Sequence, residues 1–407
     1  MEHYDVVICG AGPAACACGL LLAQSKLKIL IVDKDPFPRD KICGDALSAD
    51  VMNQLAKLPG DLVSKFEGLT TKMPSFGVQF YAPSGQALDI PFAVQKTQLA
   101  PGYIIPRYDF DAFMLNEVGK YDNIKISTGI KVTTIDRSAN GFLVHCTTGT
   151  ISAQMVIGAD GAHSAVARSL LPKAIDRSHH CAGLRVYYEN VQSMHAEGFI
   201  ELHFYKELLP GYFWIFPLPG NRANVGLGVR SDQVAKNKLN LPELLNKLIN
   251  EHPNLKDRFV NARPLESIKG FGLPLGSKKR RLSGDGFLLT GDAAGLIDPF
   301  TGEGIGNALR SGRIAAEVII KAFDKQDFTA GFLQQYDKEI YKKMWSELRL
   351  SRKLQQLLHY PSLFTFVVSK ASKNPSIQKI LISMLSDNEI KKELVKPKFY
   401  LKLLLGK

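Results

Sequence analysis

Four short apolar runs punctuate the chain, and each delivers into glycine or aspartate. Tyr4-Asp5-Val6-Val7-Ile8-Cys9 meets Gly10, and Lys28-Ile29-Leu30-Ile31-Val32 meets Asp33. Gln154-Met155-Val156-Ile157 meets Gly158-Ala159-Asp160-Gly161, and Phe287-Leu288-Leu289-Thr290 meets Gly291-Asp292. Runs of this length without alternation predict strands buried on both faces. Residues 199–204 and 223–229 behave differently. They alternate as antiparallel strands do, with 212–217 between them. Helical runs follow the first glycine turn, through Leu20-Leu21-Leu22-Ala23, and again at 305–321. Together these patterns predict an α/β protein with a separate antiparallel sheet.

The first turn reads Gly10-Ala11-Gly12-Pro13-Ala14-Ala15, between a strand and a helix. Gly10 permits the tight turn, Gly12 admits a pyrophosphate to the backbone, and Ala15 lets helix and strand pack closely. The helix N-terminus offers free N–H groups and a positive dipole end to phosphate. Asp33, at the end of the next strand, would accept hydrogen bonds from a ribose diol, with Lys34 beside it. Strand, turn, helix, strand and acid in this order predict dinucleotide binding. A second complete motif of this kind is missing, so any pyridine nucleotide would dock only transiently.

Two later segments repeat the delivery of an aspartate at a strand's carboxyl end, where open α/β sheets bind ligands. One holds Asp160 and Gly161. The other holds Gly291 and Asp292, followed by Pro299, Gly302, Gly304 and Ile305. With the first turn they resemble the three fingerprints of the FAD-dependent oxidoreductases of the p-hydroxybenzoate hydroxylase class. The resemblance implies that Asp292 holds the ribityl chain and that Asp160 supports flavin and nicotinamide approach. It places residues 302–305 over the flavin pyrimidine, where a helix N-terminus would also stabilise negative charge. Read without the resemblance, the same aspartates could simply cap tight strand-to-helix turns.

Three further stretches narrow the class. They are Pro38-Arg39-Asp40-Lys41-Ile42-Cys43-Gly44-Asp45, Tyr212-Phe213-Trp214-Ile215-Phe216-Pro217 and Asn224-Val225-Gly226-Leu227-Gly228. All three resemble the geranylgeranyl reductase family, as does Ile105-Pro106-Arg107-Tyr108-Asp109. The resemblance spans roughly residues 4–325. It implies that Arg39, Cys43, Gly44 and Arg107 face FAD. Asp45 departs from it, since many members carry glycine there. Tyr212, Trp214 and Phe216 are spaced by two and face one side of their strand. That stripe is either sheet core or the lining of a cavity over the flavin. Cys43 is either inert packing or a reactive thiol near the flavin.

Length, composition and charge adjust this picture. The 407 residues allow two or three domains, and 45% apolar with 22% charged residues is ordinary for a globular protein. No apolar run reaches the ~18 residues of a membrane span, and no signal peptide is evident. Six cysteines are too few for a disulfide scaffold, and Cys9, Cys16 and Cys18 fall in predicted buried elements. A reduced, cytoplasmic protein is expected. No metal site is expected, since His179-His180 beside Cys181 lacks zinc spacing. The net charge of +12 is uneven: residues 338–407 hold fifteen Lys/Arg against five Asp/Glu. Either a helical extension carries a solvated basic face, or an amphipathic surface rests on anionic lipid at the inner face of the membrane. Nucleic acid is the weakest partner for it, because no recognition motif accompanies the charge.

The expected fold class is α/β, a Rossmann-like FAD-binding domain with an antiparallel β-sheet substrate domain and a helical C-terminal region. The expected FAD domain is discontinuous, from 1–70, 100–175 and 278–330. The substrate sheet comes from 71–99 and 176–277, and a basic helical region from 331–407. The expected function is FAD-dependent reduction of C=C bonds in an isoprenoid chain or prenyl lipid. Cys43, Tyr212, Trp214 and Phe216 would be its catalytic residues, and NAD(P)H or reduced ferredoxin its electron donor. A flavin-dependent aromatic hydroxylase or a flavin-dependent halogenase is the alternative, the latter because W-x-W-x-I-P is close to the 212–217 stretch. A non-catalytic flavin-binding partner on a membrane is a third.

Overall fold

A computed structural model describes residues 2–92, 100–172, 176–374, 378 and 396. The unalternating apolar runs become the centre of an eight-stranded sheet. Ile124–Ser127, Ile29–Val32, His3–Cys9, Gly149–Gly158 and Phe287–Leu289 lie side by side and all parallel. They are buried on both faces because helices cover both sides, as a parallel sheet requires. Pro13–Leu22 packs against the long helix Ile305–Lys325, so closely that a Cβ on Gly312 would stand 2.1 Å from the Ala14 carbonyl oxygen. The Ile305–Lys325 helix runs four residues further than its apolar pattern predicts.

The second sheet is also eight-stranded. Its order runs Arg263–Pro264, His180–Glu189, Arg222–Arg230, Tyr212–Leu218, Ile200–His203, Gly77–Tyr81 and Ala87–Pro91, with Lys269–Pro274 also pairing His180–Glu189. All pairings are antiparallel except that of Ile200–His203 with Gly77–Tyr81. Tyr212–Leu218 lies between Ile200–His203 and Arg222–Arg230, as the alternation predicts. Pro217 does not end that strand: it pairs Ala223, and Leu218 pairs Arg222. Proline is tolerated there because no partner faces it on the other side, where pairing stops at Ile215.

One face of this sheet packs on the amphipathic helix Leu241–Glu251, through Phe213, Ile215, Val225 and Leu245. The other face, with Leu202, Phe204, Trp214 and Phe216, turns toward Ile104 and Leu358. A small three-stranded sheet, Ala46–Leu47, Gly102–Ile104 and Met73–Ser75, carries Ile104 into that cluster.

The helices Ala330–Leu357 and Pro361–Lys373 follow. Leu333, Tyr336, Ile340, Met344 and Leu348 recur every three or four residues and join the main core, while Lys338, Lys342, Arg349 and Lys353 are exposed. That part of the basic charge lies on the exposed face of a packed helix. The apolar groups Phe399-Tyr400-Leu401 and Leu403-Leu404-Leu405 lie outside the described residues. No described helix is long and apolar enough to cross a membrane.

Candidate functional site

The first strand ends at Gly10, whose φ of +98° only glycine adopts freely. A Cβ there would sit 2.3 Å from the Ala159 carbonyl oxygen, because the turn presses on the end of Gly149–Gly158. Gly12 differs. Its backbone is ordinary, and an added Cβ would meet only Arg39 Nη2 at 3.8 Å. Gly12 is also the N-cap of Pro13–Leu22 and caps it with no side chain, so first-turn N–H groups around Ala14 and Ala15 face that space. Asp33 is 8% exposed, and its Oδ2 accepts from Ala11 N at 2.7 Å. Lys34 is largely exposed and faces Asp35 at 4.0 Å.

Two guanidinium groups surround one buried carboxylate beside this turn. Arg107 donates to both oxygens of Asp111 at 2.6 Å, and Arg39 Nη2 stands 3.0 Å from Asp111. Arg39 Nε also stands 4.0 Å from Asp33 Oδ1. Arg39 Nη1 is buried without a hydrogen-bond partner among the described residues. A guanidinium N–H lacking an acceptor, next to bare helix N–H groups, suits a phosphate-bearing ligand. The residues therefore fit the diphosphate of FAD.

Asp160 does cap a turn: its Oδ2 accepts from Ala165 N at 2.6 Å and Val166 N at 3.3 Å. Its Oδ1 is buried without a hydrogen-bond partner among the described residues, and burial raises its pKa. The adjoining Gly161 has a φ of +74° and starts a 3-10 turn. Gly291 N donates to Ser311 Oγ at 2.9 Å, and Asp292 accepts from Lys41 Nζ at 3.4 Å. A Cβ on Gly304 would lie 3.5 Å from Asp292 Oδ1, so the strand end and the start of the Ile305–Lys325 helix are adjacent. The Pro299 carbonyl accepts from Gln355 Nε2 at 2.6 Å, which ties this loop to the C-terminal helices.

The aromatic stripe meets this same loop. Tyr212, Trp214 and Phe216 share one face, with ring centroids 6.2 and 6.1 Å apart. Tyr212 OH donates to the Thr301 carbonyl at 2.5 Å and would lie 2.8 Å from a Cβ on Gly302. At the other end, a Cβ on Gly44 would stand 2.7 Å from Phe216, so the Cys43-Gly44 turn presses on the wall. Cys43 itself is half-buried. The 212–216 stripe, the 301–302 loop and the Cys43-Gly44 turn thus meet from three distant parts of the chain.

Several site residues escaped the sequence patterns. Glu303, between Gly302 and Gly304, accepts from Ser48 Oγ, and burial, with Asp50 nearby, pushes its pKa up to about 7. Asp45 is fully buried and accepts from Tyr187 OH at 2.5 Å and Asn224 Nδ2 at 2.7 Å. Leu358 and Phe364 of the C-terminal part join the aromatic cluster, the Phe364 ring lying tilted with its centroid 4.8 Å from that of Phe204. Asp45 stood out as a departure and Glu303 fell within residues 302–305, but the burial of neither carboxylate was legible in the sequence.

Known proteins match this arrangement. A family model described as FAD binding domain covers residues 3–346. The chain is 30% identical over 354 residues to the Methanopyrus kandleri protein named digeranylgeranylglycerophospholipid reductase 2, across 82% of this chain and 81% of the relative. The chain belongs to the geranylgeranyl reductase family of FAD-dependent oxidoreductases. This reductase also superposes on the crystal structure of a geranylgeranyl bacteriochlorophyll reductase-like protein from Thermoplasma acidophilum. The TM-score is 0.81 at 24% identity, over 97% of this chain and 99% of that one. A flavin-dependent brominase gives 0.74 at 20% identity, over 95% and 94%. At such identities both likenesses concern the fold alone. The family assignment rests on the sequence relative and the FAD-binding match, and it makes the halogenase and hydroxylase alternatives the weaker ones.

Proposed function

We propose that this reductase saturates C=C bonds in the geranylgeranyl chains of a glycerophospholipid or a similar prenyl lipid. The observation that carries this is the apolar wall of Tyr212, Trp214 and Phe216, joined at one end to the 301–304 loop and at the other to Cys43-Gly44. An isolated alkene offers no polar handle, so its reduction depends on alignment in a water-poor slot. The three rings would hold the chain flat and exclude water, with Phe204 and Phe364 extending the slot.

Residues 10–15 with Asp33 and Arg39 would hold the dinucleotide part of FAD, and Asp292 its ribityl chain. Lys34, Gly44, Arg107, Asp160, Gly161, Gly291, Pro299, Gly302, Gly304 and Ile305 complete the proposed cofactor set. When bound and reduced, FAD supplies the hydride for one alkene carbon. Cys43 Sγ would hold the proton destined for the other carbon. The division into an FAD domain (1–70, 100–175, 278–330), a substrate domain (71–99, 176–277) and a C-terminal region belongs to the same proposal. So do a cytoplasmic location, contact with the membrane surface, and NAD(P)H or reduced ferredoxin as electron donor.

The test is anaerobic incubation of the dithionite-reduced holoenzyme with a digeranylgeranyl glycerophospholipid, the product being weighed by mass spectrometry. Gains of 2 Da per reduced bond are expected. A long-lived oxygen adduct on re-aeration with no hydrogenated lipid would instead favour an oxygenase. Cys43→Ser should keep FAD and slow turnover by about tenfold or more. Unchanged turnover would make Cys43 a packing residue.

A further inference from the structure

Asp45 has a φ of +68°, unusual for a residue with a side chain, and is fully buried. Its Oδ2 accepts from Tyr187 OH and Asn224 Nδ2, and its Oδ1 lies 3.3 Å from Arg107 N. Its own carbonyl accepts from Ile105 N at 3.0 Å. Asn224 continues the chain of contacts: Nδ2 also donates to the Cys43 carbonyl at 2.7 Å, and Oδ1 accepts from Trp214 Nε1 at 2.9 Å. One carboxylate therefore joins the Cys43-Gly44 turn, two strands of the second sheet and the start of the Arg107–Val118 helix.

We propose that Asp45 is a positioning residue, whose carboxylate holds the Cys43-Gly44 turn in register with Trp214 so that a bound alkene is correctly aligned. This rests on the lipid-reductase reading above. The reason is chemical. Oδ2 takes two donors, which an ionised carboxylate does without conflict. A protonated Asp45 would point a hydrogen either at the Arg107 N–H, from Oδ1, or at the donors Tyr187 OH and Asn224 Nδ2, from Oδ2, and one contact would have to yield. With the proton on Oδ2 the amide of Asn224 is displaced, and with it the hydrogen bonds to Cys43 and Trp214. The charged and titratable groups facing Asp45 are Tyr187 and Arg185 from the strand His180–Glu189 and Arg107 from the helix. Burial outweighs the two arginines and raises the Asp45 pKa to about 6, within reach of an assay.

The test compares wild type with Asp45→Gly, which suits the positive φ, and Asp45→Asn, which keeps the shape. Holoenzyme is reduced with dithionite and given a digeranylgeranyl glycerophospholipid in detergent from pH 5 to 8. Wild-type kcat should fall as pH drops through about 6. Both variants should retain FAD and lose that inflection, Asp45→Gly with kcat lowered about tenfold or more and KM little changed. A second readout needs no substrate. The chain has two tryptophans, so Trp345→Phe isolates Trp214. Its emission should titrate near pH 6 with Asp45 present and stay flat in both variants. Wild-type kcat and pH profile in Asp45→Gly, or an unchanged Trp214 titration, would overturn the proposal. Failure of wild type to reduce the lipid would sink the functional reading instead, while the Trp214 titration would still decide the role of Asp45.

Discussion

Lys41 Nζ stands 3.4 Å from Asp292 Oδ2, across 251 positions of sequence, and 4.3 Å from the Phe271 ring. The acid proposed to hold the ribityl chain therefore shares its cleft with a cation from the stretch that carries Arg39 and Cys43. Both side chains are largely buried. Asp292→Ala removes an acceptor and leaves the Lys41 charge unmatched, so FAD should bind at least about tenfold more weakly. Absorbance of the purified variant gives the flavin content directly. Full occupancy would remove Asp292 from the cofactor site.

The two glycines of the first turn should fail in different ways. Gly10→Ala forces a side chain into a positive φ and onto the Ala159 carbonyl, costing about 3 kcal/mol of folding stability. Gly12→Val meets almost no protein, so unfolding should shift by less than about 1 kcal/mol while FAD is lost. Thermal unfolding of the apoprotein and flavin content separate the two effects. Equal destabilisation by both would show that Gly12 is a packing residue.

Glu303 gives a stability prediction with a definite sign. Burial, together with Asp50, Asp298 and Glu347, raises its native pKa to about 7, above the usual 4.5 of a glutamate. A raised acid stabilises the fold fully below its unfolded pKa, and that contribution disappears as pH rises through about 7. Glu303→Gln keeps an acceptor for Ser48 but never ionises. Its unfolding midpoint should exceed that of wild type by about 2 °C at pH 8, with no advantage at about pH 4. Identical curves across the range would mean that Glu303 ionises freely.

The exposed basic residues Lys338, Lys342, Arg349 and Lys353 bear on where a lipid enzyme meets its substrate. Each Lys or Arg near an anionic surface contributes on the order of 1 kcal/mol, screened within about a Debye length. The holoenzyme should sediment with anionic vesicles more than with neutral ones at low salt, and 0.5 M NaCl should abolish the difference. Lys338→Glu with Lys342→Glu should weaken it. Equal partitioning at low salt would leave the charge as a solvated helix face.

The sequence by itself determined the central sheet and the glycine turn, because both depend on neighbours in the chain. Val6 to Cys9 and Ile29 to Val32 are apolar without alternation, as a doubly covered strand requires, and Gly10 marks a place where the backbone must turn tightly. The spacing of Tyr212, Trp214 and Phe216 likewise set a common face. Tertiary structure decided what that face meets. Tyr212 reaches Thr301 and Phe216 reaches Gly44, contacts between segments far apart in the chain. Asp45 and Glu303 were opaque for the same reason. A carboxylate's chemistry depends on its burial and its partners, and those are supplied by Tyr187, Asn224, Ser48 and Asp50 only once the chain has folded.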